Sequence, residues 1–504
     1  MNRERQLFGI TGGRLFVIVA FLLTIAFTIV LTVSSAHGIS FLLLIPLALF
    51  LLLAALISVD KFLLFTVFLV PLSIQLRFLF PEVTADLFLP TEPMLALIMV
   101  IIVFKAFAGR EIDRRILHHP VSKVTGALLI WLFVASLTGT MPLVSIKYII
   151  TRIWFITGFY ILATRLFMNE RTIRNYFLAY LLGMIPVAIY YLLRLSQYGV
   201  LSQVNAYAAI RPFFNDHTAL GAALAFCIPA NIYLLLLKGE GKFKRLFLFL
   251  LLALFSITFI YTYSRAAWLS LAAAALLSLI LILRVSWKII IPVLVIALIA
   301  IVTTWSALVI QLNQNRQGSS LDMQKQIQSI ANIRTDASNL ERLNRWSSAL
   351  RMSSERPLFG WGPGTYQFNY APFQLAEEKT PISTNWGEGG NAHSEYLGLL
   401  AEAGIPGMAI YIVLLFVIMK RGIGLFKRSA ENGERMMILC MMAGIATYIT
   451  HGALNNFLDT DKISALFWGM TAVIVAADLK NPLPGLPPGG KEQNISPLGE
   501  TERG

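Results

Sequence analysis

The stretch Asn391-Ala-His393-Ser394-Glu395-Tyr-Leu-Gly-Leu-Leu-Ala-Glu402-Ala-Gly404-Ile-Pro406-Gly407 runs straight into Met408-Ala-Ile-Tyr-Ile-Val-Leu-Leu-Phe-Val-Ile-Met419, and this passage from polar to apolar decides the fold. Crossing a bilayer takes about 20 apolar residues in a helix. Tyr396–Met419 meets that length, and Lys420 and Arg421 close it with the charge expected at one membrane face. The polar residues at its start end the one long polar interval of the chain, so a membrane helix begins where a large loop finishes.

Working outward, the same kind of segment recurs. Of 504 residues, 57% are hydrophobic and only 13% charged, with a mean hydropathy of +0.70, which excludes an ordinary soluble domain. Apolar runs fall at Arg14–Ser34, Ile39–Ile57, Phe62–Ile74, Pro93–Ala108, Val121–Thr138, Tyr148–Phe167 and Ile173–Arg194. They continue at Thr218–Leu237, Leu246–Tyr263, Ala266–Leu283, Ile289–Ile310, Tyr396–Met419, Met436–Ile449 and Ile463–Ala477. The expected fold is all-α, a polytopic helical bundle with about 12–14 transmembrane helices. The first run follows Arg3, Arg5 and Arg14 but is too long for a signal peptide and lacks a small-residue cleavage site, so it reads as a retained anchor. Cys227 and Cys440 both lie in apolar runs, which argues against a disulfide framework or a cysteine metal site.

A formal charge of +14 invites a nucleic-acid reading, but its placement is topological. With the N-terminus cytoplasmic, alternate loops carry Lys61; Lys105, Arg110, Arg114, Arg115 and Lys123; Arg165, Arg171 and Arg174; Lys238, Lys242, Lys244 and Arg245; Arg284 and Lys288; and Lys420, Arg421, Lys427, Arg428 and Arg435. The opposite short loops carry only Arg77, Lys147, Arg211, Arg265 and Lys462. That is the positive-inside bias. No nucleic-acid partner is expected, and both termini are expected on the cytoplasmic side.

Four elements then gather on the outer face: Leu195–His217, the tight turn Tyr261–Arg265, the interval Gln311–His393 and the loop His451–Lys462. Within the long interval, Leu340–Leu350 has apolar residues at helical spacing, and Glu355–Gly364 is a run of Gly and Pro around aromatics. The chain divides into a transmembrane bundle at 1–311, one large periplasmic loop at 312–393, C-terminal transmembrane helices at 394–478 and a disordered cytoplasmic tail at 479–504. The inner turns, including His118, His119 and Lys238-Gly-Glu-Gly-Lys242, hold no cluster suited to catalysis, and no internal repeat stands out.

The outer charges carry the chemistry. Arg265 joins two apolar runs with almost no loop, so its guanidinium lies at the outer interface, either as a snorkelling side chain or as a fork of donors for phosphate. Arg211, beside Pro212, is a second such candidate. His393 is one of four outer histidines, with His37, His217 and His451. A histidine near a helix start is commonly a cap, but this one opens from the large loop among Asn391, Ser394 and Glu395, where a polar ligand has access. No H-E-x-x-H spacing supports a metal site, and no cofactor motif is present. The residues alone describe a polytopic protein with an Arg and His cluster on its outer face, suited to a lipid-linked anionic substrate.

At this point the chain resembles the O-antigen ligase and polymerase superfamily of bacterial inner membranes. His393-Ser394, nine residues, Gly404, two residues and Gly407 looks like the ligase motif of His, then Asn, Ser or Gln, nine residues and Gly-x-x-Gly. Ser264-Arg265-Ala-Ala-Trp268-Leu is similar to the family's serine–arginine turn. The run Arg342…Trp346…Ala349…Arg356-Pro357-Leu-Phe-Gly360-Trp-Gly362-Pro-Gly364 resembles the segment before the family's histidine, and Arg211–His217 is a weaker match to its aromatic–Asn turn. The resemblance implies a GT-C-like bundle and a metal-independent, inverting glycosyl transfer on the periplasmic face. The implied donor is an undecaprenyl-diphosphate-linked glycan, and the implied acceptor lipid A-core or another surface glycan, amid membrane lipids. It assigns His393 to the acceptor hydroxyl and Arg211 and Arg265 to the diphosphate. Ser394, Glu395, Asn391, His217 and Arg356 are left to bind or orient substrate. A polymerase extending lipid-linked repeat units is the nearest alternative; a transporter or flippase for the same lipids is the alternative from another class, and would need charge deep in the bundle.

Overall fold

In lipid each backbone N–H and C=O must find its partner within the chain, so apolar segments of this length fold as helices. A computed structural model describes residues 44–79, 87–108, 113–198, 206, 209–286, 288, 292, 295, 296, 299, 300, 303, 340–380, 383 and 390–480. The segments expected at Arg14–Ser34 and most of Ile289–Ile310, the part of the Gln311–His393 interval before 340, His37 and the tail beyond 480 lie outside the described residues.

The long helices are α1 Leu44–Ile57, α2 Val59–Leu69, α3 Thr91–Phe107, α4 Pro120–Thr138, and α5 Pro142–Ile156, which continues through the wide turn Thr157–Leu162 to Leu166. They are followed by α6 Glu170–Tyr198, α7 His217–Leu235, α8 Lys242–Tyr261, α9 Arg265–Ile282 and α10 at 340–355. The last three are α11 Glu395–Arg428, α12 Asn432–His451 and α13 Asp461–Lys480. The strands found among the described residues are β1 (Ile74–Gln75) and β2 (Phe88–Leu89), antiparallel, with Ile74 opposite Leu89. The molecule is an all-α polytopic membrane protein.

Among the described residues, eight helices are long and apolar enough to cross a membrane: α4 to α9, α11 and α13, with α5 extended to Leu166. Each coincides with one of the apolar runs read from the sequence. Helices α7 and α13 are enclosed on nearly all sides, 89% and 94% of their spans being buried, whereas α4, α8 and α9 bury only 28% each. The first two therefore form the axis of the bundle. The others present Ile130, Phe249, Leu250, Leu269 and Leu276 to lipid.

Polar residues set where the helices begin. Asp216 accepts from the Thr218 and Ala219 N–H groups at 2.7 and 2.9 Å to start α7, Ser264 caps Ala267 to start α9, and Ser394 caps Leu397 to start α11. Each fills donors that a helix start leaves without partners. Each also sits just before an apolar run, so this much of the architecture is local.

The two ends of α13 carry buried charge. Asp461 accepts from Ser73 at 2.7 Å and Thr91 at 2.5 Å, and Lys462 donates to the Ser73 carbonyl at 3.1 Å while lying over the Phe88 ring. This ties the small hairpin to the axis. At the other end Asp478 is fully buried, with His119 at 3.0 Å, Arg428 at 2.5 Å and Arg421 at 3.5 Å. His119 Nδ1 accepts from Val121 N–H, so Nε2 carries the proton given to Asp478. Removing one partner of such a pair costs more than the pair contributes, because a buried charge is left behind.

Helix α11 is broken at Gly404, whose φ of 70° and ψ of −175° leave the helical region. A break inside a membrane helix strands carbonyl groups, and here each finds a donor. Trp361 N–H reaches Ala401 O at 3.0 Å and Gly362 N–H reaches Glu402 O at 2.9 Å. Trp131 Nε1 donates to Ala403 O at 2.8 Å, and Ile405 N–H returns to Pro357 O at 2.8 Å. The glycine-rich turn 360–364 is thus docked into the break.

Candidate active site

His393 is placed by its backbone. Its φ of 50° lies in the left-handed region, uncommon outside glycine though less so for His than for bulky residues. Asn391 Oδ1 accepts from His393 N–H at 3.0 Å, and Trp346 Nε1 donates to His393 O at 3.2 Å. Arg345 donates to Asn391 O at 3.1 Å and is itself fixed by Glu341 at 2.8 Å and by the Tyr370 ring, 4.9 Å away. Asn391 also donates to Asn456 O at 3.3 Å. Helix α10 and the loop after α12 therefore grip the turn that presents the imidazole.

Around that imidazole the fold brings together residues far apart in sequence. Asn455 bonds the His393 ring, and its Nδ2 donates to His451 Nε2 at 3.2 Å. The Asn455 bond acts to raise the His393 pKa, as an amide oxygen accepting from an imidazole N–H does, and in the neutral ring this leaves the other nitrogen as an acceptor. The His451 ring borders the backbone of Ala266, next to Arg265. Arg342 is a common electrostatic neighbour of His217, His393 and His451, and Asp216 is a second. Helices α7 and α9 meet here too: a Cβ on Gly221 would lie 3.0 Å from Ser264 Cβ. Three helix starts, at His217, Arg265 and Glu395, thus converge on one face with their positive dipole ends.

The electrostatics follow from this crowding. Enclosure by protein pushes the His393 imidazole down to about 4, and the nearby Arg345 and Arg342 cations add to the effect against the pull of Asp216 and Asn455. Burial would raise the Asp216 carboxyl, but His217, the Thr218 hydroxyl and the two capping N–H groups hold it below its ordinary value.

The other expected site residues divide. Ser394 and Asn391 shape the His393 turn. Glu395 is buried, accepting from the Tyr448 hydroxyl and from Leu458 N–H at 2.9 Å, while its own N–H donates to Gly452 O at 2.8 Å. Its carboxylate therefore holds the loop that carries Asn455. Arg356 stacks 4.5 Å over Trp361 in the docked turn, about two helical turns along α11 from His393 by the register of Ala401. Arg265 is exposed at the first position of α9. Arg211 is also exposed; its Nε donates to Asn215 O at 3.3 Å, and its carbonyl accepts from Tyr190 at 2.7 Å and Arg194 at 2.8 Å.

Three residues were not singled out from sequence for this role. Arg77 joins Arg211, Asn215 and Phe78 in lining a cavity of about 300 Å³, and Gln75 holds it through Nε at 3.0 Å. It had shown only as a stray cation in an outer loop. Asn455 carried no signal, and Arg342 stood only in the family-like run before His393. Among the described residues no three His, Cys, Asp or Glu side chains form a set that would hold a metal ion.

Residues 247–412 match the family model described as O-antigen ligase. No curated protein matches the chain. The matched span includes Ser264–Arg265, Arg342, Arg345, His393 and the Gly404–Gly407 break, while Arg77, Arg211, Asp216, His451 and Asn455 come from outside it. This domain, about a third of the chain, is similar to the O-antigen ligase family and supports a place in the O-antigen ligase and polymerase superfamily.

Proposed function

We propose that this protein is a ligase-type glycosyltransferase of the inner membrane, active on its periplasmic face, moving a glycan from an undecaprenyl-diphosphate donor to a hydroxyl of lipid A-core or another surface glycan. The observation that carries the reading is His393, in contact with Asn455 and under the field of the Arg345 and Arg342 cations of α10, where three helix starts meet.

In this reading the acceptor oxygen forms its bond to the anomeric carbon as the bond from that carbon to the diphosphate oxygen breaks. The acceptor proton passes to His393. Displacement from the opposite side inverts the anomeric centre. Negative charge grows on the leaving diphosphate, and donors fixed in advance near a low-dielectric boundary stabilise it. Arg211 and Arg265 are the assigned donors, and Arg77 is added because it shares the Arg211 cavity. These cations supply the charge, so no metal is assigned a role. An arriving diphosphate also offsets Arg342 and Arg345, which raises the His393 pKa toward the range where a base acts well near neutrality. Asn391, Ser394, Glu395 and His217 position the imidazole and its neighbours, and Arg356 supports the docked turn.

The test is transfer from a defined undecaprenyl-diphosphate glycan in membranes. His393→Ala, at normal expression, is expected to lower transfer by roughly 10²- to 10⁴-fold, the range a positioned base supplies; full retention removes the assignment. The product separates ligase from polymerase: a glycan on a new acceptor supports the first, a lengthened lipid-linked chain the second.

A further inference from the structure

At the far end of α9 from Arg265 lies a cavity of about 720 Å³ that the transfer reaction does not use. Among the described residues its lining includes Arg284, Lys288, Lys427 and Arg435, together with Ser286 and Phe426, and no carboxylate. The 18 residues of α9 separate this cavity from Arg265 by about 27 Å at 1.5 Å per residue, close to the thickness of a bilayer's hydrocarbon core. The cavity therefore sits at the opposite membrane interface, where headgroups of the other leaflet lie.

Two features make it more than the basic loop charge that topology requires. Arg435 is held against the Phe426 ring at 4.4 Å, which fixes a cation at the wall. Arg284 has a φ of 54°, and the surrounding bonds, Arg284 N to Leu281 O at 3.3 Å and Val285 N to Ile280 O at 3.1 Å, form the left-handed helix ending that glycine usually fills. An arginine kept in a conformation that disfavours it points to a use for its side chain. Beside the cavity, Leu279, Ile282 and Leu283 are more than half exposed, an apolar strip for acyl chains continuous with a basic wall for phosphate.

We infer that this cavity binds a phosphate-bearing anion, and that the exposed leucines make its source an anionic phospholipid headgroup rather than free phosphate. Each cation near an anionic lipid surface adds about fivefold to binding.

The experiment uses the full chain in mild detergent, with native mass spectrometry reading retained lipid. Diphosphatidylglycerol is titrated against zwitterionic phosphatidylcholine, and inorganic phosphate alone is tested by thermal shift. Arg284→Gly restores the residue this helix ending favours, so it should fold at least as well as the parent. It and Lys427→Gln are each expected to weaken diphosphatidylglycerol retention about fivefold, and the pair to bring it to the phosphatidylcholine level. Equal losses from Lys238→Gln and Lys242→Gln, in a different loop, would reduce the effect to diffuse charge and overturn the site. Unchanged retention in the Arg284→Gly, Lys427→Gln protein overturns it as well, and stabilisation by inorganic phosphate alone overturns the lipid assignment.

Discussion

As the base of the proposed transfer, His393 would combine two properties. Asn455 acts as an acceptor for one ring N–H, and the basicity of the ring is held down by burial first and by the Arg345 and Arg342 cations second, the part an arriving anion would offset. The pH dependence follows. The neutral imidazole is the active form and exists above its pKa, so activity is lost as pH falls through that value. For kcat/KM, which reports the free enzyme, the acidic limb is expected at about 4 rather than near the ordinary 6.5. In kcat, which reports the complex, it should lie higher because the bound diphosphate offsets the cations. Superimposed limbs near 6.5 would contradict this electrostatic account. Asn455 offers a sharper check. Asn455→Leu is expected to lower kcat roughly tenfold to a hundredfold, a share of what a positioned base supplies, with KM little changed. Asn455→Asp keeps an oxygen for the His393 N–H and adds negative charge, so its acidic limb should move to higher pH. A purely structural role for Asn455 predicts no such movement.

Among the elements, α11 explains why the spacing from His393 to Gly407 has meaning. Ser394 starts the helix, Gly404 breaks it, and the break receives the turn 360–364. The fit leaves no room for a side chain: a Cβ on Gly404 would lie 2.2 Å from Leu358 O, and one on Gly360 2.4 Å from the Glu402 carbonyl carbon. Gly404→Ala should therefore undock the turn, at a cost of at least the roughly 1–3 kcal/mol of a strained backbone conformation, seen as a lower midpoint in thermal denaturation and as lost transfer. Trp131→Phe removes the donor to Ala403 O and leaves a buried carbonyl unpaired, worth about 1–3 kcal/mol, while keeping an aromatic beside Gly407. If Trp131→Phe matched the parent in stability, the bond would not be needed to hold the break. The legibility of the sequence divides at this level. The spans, their caps and the break are local, written in apolar length, in Asp216, Ser264 and Ser394, and in Gly404 and Pro406. The partners of the break are not, because nothing in Trp131 or Trp361 alone says where its N–H will go. Asn455, Arg342 and Arg77 were hidden for the same reason: their roles come from distant neighbours, His393 for Asn455, His217 and His393 for Arg342, and Arg211 for Arg77. Glu395, expected to bind or orient substrate, is buried with its carboxylate on Tyr448 and Leu458, where it holds the Asn455 loop.

At the scale of the whole molecule, the distribution of charge bears on transferase against transporter. Polar groups concentrate at the two ends of the axis, around Asp461 and Asp478 on α13, with the His393 cluster at the first end. The length of α13 between Asp461 and Asp478 carries no charged residue after Lys462, and α7 carries none after His217. Substrate translocation through the bundle asks for polar sites near the midplane that face each side in turn; a surface transferase asks for a site open to one side. Cysteine labelling distinguishes them, and the chain is suited to it because Cys227 and Cys440 are both buried, so a membrane-impermeant maleimide should leave the parent unmodified. Single cysteines replacing Arg211, Arg265 and His393 are expected to react from the outer face only, with Arg211 and Arg265 reacting faster than the half-enclosed His393 position. A lipid-linked glycan donor should slow all three. Reaction of any of them from the cytoplasmic side, or donor-dependent switching between faces, would favour transport and remove the single-sided site on which the transferase mechanism depends.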